Sequence, residues 1–190
     1  LASPHINYHS CDLTREDCRF EFLPNHLHGV VYCPGTIRLK PLARLTEEDF
    51  LEDWQTNLMG AVRVLKACQN RLKKARAGAS VVLFSTVAVA TGMPFHASIA
   101  AAKGAVEGLM RSLAAEWAPR VRVNAIAPSL TDTRLASDLL DGDAKRQAAA
   151  ERHPLKRIGS PQEVADLAVF LLGASAGWMT GQVIGVDGGL

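Results

Sequence analysis

The chain has 190 residues, 48% hydrophobic and 21% charged, the composition of one globular domain and not of a disordered or fibrous segment. Twenty-one Lys and Arg oppose nineteen Asp and Glu, a net charge of +2, which excludes a strong electrostatic case for nucleic acid or an anionic membrane as partner. The four cysteines, Cys11, Cys18, Cys33 and Cys68, form no C-x-x-C pair and have no histidine cluster at zinc spacing, so reduced thiols, no metal and a cytoplasmic location are expected.

In chain order, His5–Ser10 is a weak strand candidate, and Thr14, followed by Arg15, Glu16 and Asp17, reads as a helix N-cap. Gly29–Cys33 is a short apolar run stopped by Pro34-Gly35, hence a buried strand ending in a turn. Thr46 caps a helix with acids in its first turn, and Phe50, Trp54, Leu58, Val62 and Leu65 recur at helical spacing through to Leu72. Ser80–Phe84 predicts a buried strand, Ser98–Trp117 a helix ended by Pro119, and Val121–Ile126 another strand.

Thr131–Arg152 is polar and mixed, which suggests short helices with a solvated face. Ser160 and Pro161 open a helix running to Leu172, and Gln182–Val186 is a last strand. The uncharged run between Arg76 and Lys103 is broken by Ser, Thr, Gly, Pro and His, so it is read as strand, loop and helix start rather than a membrane span. Trp117 and Trp178 are core or interface anchors, with the core favoured. Strands alternating with amphipathic helices indicate a parallel sheet covered on both faces, whose ligands lie beyond the carboxyl ends of the strands. That places Asp12, Cys33-Pro34-Gly35, Ser85-Thr86 and Pro128-Ser129 at the ligand-binding edge.

Lys103 is the most informative residue, an ammonium in a helix otherwise built of small and apolar groups (Ala100 to Val106). Thr86, Ile99 thirteen residues later and Lys103 four further on resemble the active-site segment of the short-chain dehydrogenase/reductase family. So do Arg122–Pro128 (RVNAIAP), Pro154–Ala165 (PLKRIGSPQEVA), Thr180–Gly189, the Asn57-Leu58-Met59-Gly60 segment and Asp12-Leu13-Thr14. The resemblance implies a Rossmann-type doubly wound parallel sheet with helices on both faces, in one domain over residues 1–190. It also implies a classical-type NAD(P)(H)-dependent oxidoreductase moving hydride between the nicotinamide and a small carbonyl or alcohol substrate, in a homodimer or homotetramer.

Carried over residue by residue, the family's catalytic lysine falls on Lys103, its asparagine on Asn57 and its serine on Thr86, with Ser85 the second choice. The cofactor set implied is Asp12, Leu13, Cys33, Pro34, Gly35, Asn57, Lys103, Pro128, Ser129, Thr131 and Thr133. The substrate set implied is Thr86, His96 and Ile99. The family's tyrosine falls on Ile99, which can neither give nor take a proton. His96, Ser98 and Thr86 stand near without the right spacing, and His96 has the intrinsic pKa for the work.

The family's Asn-Asn-Ala-Gly turn is here Tyr32-Cys33-Pro34-Gly35, where proline removes one N–H and Gly35 keeps the close approach. No Gly-x-x-x-Gly-x-Gly phosphate loop occurs, and the chain begins at Leu1, in family register just before the third strand. The expectation is therefore a longer native polypeptide, with the first two strands lacking here and Gly29–Cys33 left as an apolar edge. Two further readings stay open: a catalytically inactive dinucleotide-binding or assembly protein on the same fold, and a hydrolase using Ser85, for which no Gly-x-Ser-x-Gly elbow is present.

Overall fold

The computed structural model describes residues 6–15 and 17–190. Four parallel strands, β1 (Gly29–Val31), β2 (Ala79–Phe84), β3 (Val121–Pro128) and β4 (Val183–Val186), pair in the order β1-β2-β3-β4. Parallel neighbours need crossovers, and helices supply them. Helix α1 (Glu47–Trp54), a π-helical turn (Gln55–Met59) and α2 (Gly60–Lys73) connect β1 to β2. The short α3 (Ala88–Thr91) and long α4 (Ala97–Trp117) connect β2 to β3. A 3-10 turn (Arg134–Leu139), α5 (Asp143–Glu151) and α6 (Pro161–Leu172) precede β4.

Strand alternation sends side chains to opposite faces. Val81, Leu83, Val123 and Ala125 meet Leu65 and Leu72 of α2 and Val106, Met110 and Trp117 of α4 in the larger core. Val82 and Ile126 point the other way, onto Ala168 and Leu171 of α6. The sheet is thus covered on both faces, as expected, and β1 forms its edge, with Val31 exposed.

Both expected capping boxes form: Thr46 Oγ1 accepts from the Asp49 N–H and Ser160 Oγ from the Glu163 N–H, and each carboxylate returns the bond to its cap's N–H. The π-turn has a local cause. Asn57 Nδ2 donates to the Asp53 carbonyl at 2.7 Å, taking an acceptor that regular helix would give to a backbone N–H. In the same turn the Thr56 carbonyl accepts the Tyr32 hydroxyl at 2.6 Å. Burial pushes the Tyr32 phenol up to about 12.

Three expectations fail. Residues 6–10 are irregular, with His5 outside the described residues. A strand there has no described partner to close a ladder against. Thr14 opens no helix: Asp12 Oδ1 accepts from both its N–H (3.0 Å) and its hydroxyl (2.7 Å), a side-chain turn that competes with helix. Cys11 and Cys18 are not reduced but joined as a disulfide, because the intervening turn brings their Cα atoms to 5.8 Å. Cys33 and Cys68 are free thiols. Trp117 is core, whereas Trp178 is fully exposed. No described helix is long and apolar enough to cross a membrane.

At Gly60 an added Cβ would lie 2.1 Å from the Tyr32 hydroxyl oxygen. Gly60→Ala is therefore expected to cost about 1–3 kcal/mol in urea unfolding, and less in a Tyr32→Phe background, where the obstructing oxygen is gone.

Candidate active site

A cleft of about 740 Å³ opens at the carboxyl ends of β1, β2 and β3. Its walls include Cys33 and Gly35 after β1, Ser85 and Thr86 after β2, and Pro128 and Ser129 at the end of β3. Helix α4 adds Ile99 and Lys103, the loop before it His96, and the segment after β3 Thr131 and Thr133. One depression thus gathers most of the residues singled out above. Asn57 sits behind Gly35, its Oδ1 3.3 Å from where a Cβ on that glycine would stand.

Asp12 and Leu13 lie elsewhere. Asp12 is exposed and its carboxylate is occupied by Thr14, whose hydroxyl holds it below the usual carboxylate range. Leu13 packs on the larger core, and its carbonyl accepts from Arg63 at 3.0 Å. Neither they nor Pro34 line the cleft.

Lys103 is 7% exposed, and its ammonium donates to the Phe84 carbonyl at 2.9 Å. Burial brings its pKa down to about 8, opposed chiefly by the negative charge of Asp53. Gly35 admits this ammonium: its Cβ would be 3.4 Å from Nζ. Asp53, fully buried, accepts Thr36 Oγ1 on one oxygen (2.6 Å) and Ser98 Oγ on the other (2.5 Å). Asn57 Nδ2 also donates to Thr36 Oγ1, at 2.9 Å, while Asn57 Oδ1 is buried with no donor. The loop after β1, the end of α1, the π-turn and the start of α4 are thereby laced into one polar cluster beneath the cleft.

The hydroxyls after β2 have separated fates. Ser85 Oγ donates to the buried Glu107 carboxylate at 2.6 Å, with no imidazole partner, which removes the basis of the hydrolase reading. Thr86 Oγ1 accepts weakly from the Ala88 N–H (3.3 Å), leaving its own proton for the cleft. His96 is half-buried, with Nδ1 on the Pro94 carbonyl at 2.7 Å. Ile99 is buried at the cleft wall, one helical turn before Lys103. The chain's two tyrosines are both elsewhere: Tyr8 is 77% exposed, and the Tyr32 hydroxyl is held by Thr56.

A family model described as enoyl-(acyl carrier protein) reductase matches residues 10–190. The chain belongs to the short-chain dehydrogenase/reductase family. A tropinone reductase homolog of Arabidopsis thaliana is 41% identical over 157 residues, 82% of this chain and 60% of that protein. The chain thus spans about 60% of the length of the curated relatives it matches. A short-chain type dehydrogenase/reductase from Mycobacterium ulcerans superposes with a TM-score of 0.86 at 31% identity, over 97% of this chain and 70% of that one. A gluconate 5-dehydrogenase from Burkholderia cenocepacia, solved with NADP and tartrate, superposes at 0.80 with 29% identity, over 86% and 64%.

Within this short-chain dehydrogenase/reductase chain, two features escaped sequence reasoning. Asp53 stands four residues before Asn57, and that i, i+4 spacing was the available signal. His153, fully buried against Ser129, follows the Thr131–Arg152 segment as a lone histidine that belongs to no motif. Among the described residues no cluster of His, Cys, Asp and Glu could hold a metal ion.

Removing one donor from a buried carboxylate leaves part of its desolvation uncompensated. Ser98→Ala is therefore expected to lower stability by about 1–3 kcal/mol in urea melts at pH 7.

Proposed function

We propose that this chain is the greater part of an NAD(P)(H)-dependent oxidoreductase. It transfers hydride between the nicotinamide and a small carbonyl or alcohol, with the proton moved by a group other than tyrosine. The observation that carries this reading is the corner formed by Gly35, Lys103 and Asn57. There an ammonium with two uncommitted hydrogens stands at the cleft, and an orphaned amide oxygen lies behind the same glycine.

That donor and acceptor pair fits vicinal hydroxyls and an ordered water, and the missing Cβ supplies the room. The residues present therefore fit a dinucleotide ribose. Lys103 would hold its hydroxyls, Asn57 would anchor a bridging water, and Thr131 and Thr133 would face the carboxamide end. When bound, the nicotinamide supplies a hydride donor or acceptor. Thr86 donates its free hydroxyl proton to the substrate oxygen and so orients and polarises the carbonyl. Lys103 adds positive charge near that oxygen. The apolar side of the cleft, including Ile99, excludes water from the reacting face. The NADP-bound Burkholderia relative supports the cofactor class. Exposed Phe170 and Trp178 support assembly into a homo-oligomer.

A second reading, dinucleotide binding without turnover, is favoured by Ile99 and by the altered turn at Pro34. Oxidation of NADH and NADPH by the full-length protein with a panel of ketones separates the two. Turnover supports the first reading, and binding with no turnover the second.

Lys103 is charged below its pKa of about 8 and neutral above it. Dinucleotide affinity is therefore expected to fall as pH rises from 7 to 9 in a fluorescence titration. Lys103→Met is expected to bind at least tenfold more weakly at pH 7 and to lose that pH dependence. Ile99→Tyr places a phenol one turn from the ammonium, and reductase turnover is expected to rise at least tenfold over the parent.

A further inference from the structure

Ile99 leaves open which group carries the proton at the substrate oxygen. Four cleft hydroxyls are already committed. Thr36 and Ser85 donate to the carboxylates of Asp53 and Glu107, and Thr131 to the Ser129 carbonyl at 3.0 Å. The fourth, Ser129 Oγ, lies 2.8 Å from His153 Nε2. On the other side of that ring, Nδ1 lies 2.8 Å from the Ala149 carbonyl, which can only accept. Nδ1 therefore carries the hydrogen of the neutral ring, and Nε2 accepts the Ser129 proton. A hydroxyl on an imidazole whose far nitrogen is fixed by a third group is the arrangement of an activated hydroxyl.

The surroundings suit proton traffic. Ser129 ends one residue past β3, its N–H fixed by the Val186 carbonyl at 3.1 Å. The preceding Pro128 carbonyl accepts from the Val87 N–H at 3.2 Å, which holds Ser129 beside the Thr86–Val87 turn. Ser129 and His153 line both the main cleft and a second cavity of about 290 Å³. Gly188 packs on the ring, its Cβ position 3.5 Å from His153 Cδ2. The charged groups that line these cavities with the pair are Lys103 and Arg152 in the cleft, and Asp187 with the ion-paired Arg157 and Glu163 in the second cavity.

We propose that Ser129 and His153 are the acid–base pair of this site, relaying the proton between the substrate oxygen and the second cavity. The inference rests on the oxidoreductase reading above. In the alcohol-oxidising direction the substrate O–H breaks and its proton forms a new bond to Ser129 Oγ. The original Ser129 proton passes to His153 Nε2, and the carbon's hydride leaves to oxidised nicotinamide dinucleotide. The products are a carbonyl, reduced dinucleotide and a His153 imidazolium that returns its proton through the second cavity. Reduction runs the same transfers backwards. Ser129 is the catalytic residue of the pair, and His153 acts through it.

The test uses the full-length protein. In Ser129→Ala, kcat for alcohol oxidation is expected to fall about 100-fold. Ser129→Thr restores most of the rate, and the acid limb of the wild-type pH profile disappears in Ser129→Ala. Independently of turnover, ¹⁵N NMR of the histidine rings in cofactor-free protein is expected to show His153 as the Nδ1–H tautomer, with its Nε2 resonance shifted by Ser129→Ala. An Nε2–H tautomer, or a Ser129→Ala enzyme with unchanged kcat and pH profile, overturns the relay and leaves the oxidoreductase reading standing. A wild-type protein that neither binds dinucleotide nor turns over overturns both.

Discussion

The ammonium of Lys103 is removed from water at the carboxyl end of a parallel sheet, and such a charge persists only where the protein replaces its hydration. The Phe84 carbonyl does so directly and the Asp53 carboxylate at a distance. Burying Asp53 creates a second demand, which Thr36 and Ser98 meet. Asn57 then ties Thr36 to the π-turn through one amide group, and Gly35 must lack a side chain for the ammonium to lie where it does. One buried cation thus specifies a loop, a helix interruption, a glycine and the register of α4 against α1.

The same chain of demands separates binding from acid–base chemistry. Every group that would grip a ribose depends on this cluster, and the cluster is complete without a tyrosine. Ile99, buried at the cleft wall, offers no proton donor there. The proton path can then lie on the other wall, where β3 and the segment after α5 bring an imidazole against a hydroxyl.

Much of this was legible in the residues because it rests on local rules. The Ser160–Glu163 box with Pro161 places α6 at its observed limits, since capping and φ restriction act within one turn. The apolar runs of β2 and β3 show because a parallel strand buried on both faces leaves no polar alternation. Lys103, Thr86 and Gly35 meet in the cleft because strand ends and one helix face carry them there.

What was hidden depends on contacts distant in sequence. Asp53 reads as one acid among several in an exposed helix until Ser98, 45 residues on, is seen to bond it. His153 and Ser129 are 24 residues apart, with no periodicity linking them. The Cys11–Cys18 bridge depends on a turn built by Asp12, a residue whose position suggested a cofactor contact instead.

The central claim is that a dinucleotide covers the Lys103 ammonium. Reductive methylation of the full-length protein at pH 8, mapped by mass spectrometry with and without saturating NADH or NADPH, tests it most directly. The account predicts that Lys103 is methylated in the free protein and strongly protected by a dinucleotide, while the exposed Lys145 reacts equally in both. Equal methylation of Lys103 with and without either dinucleotide would contradict it.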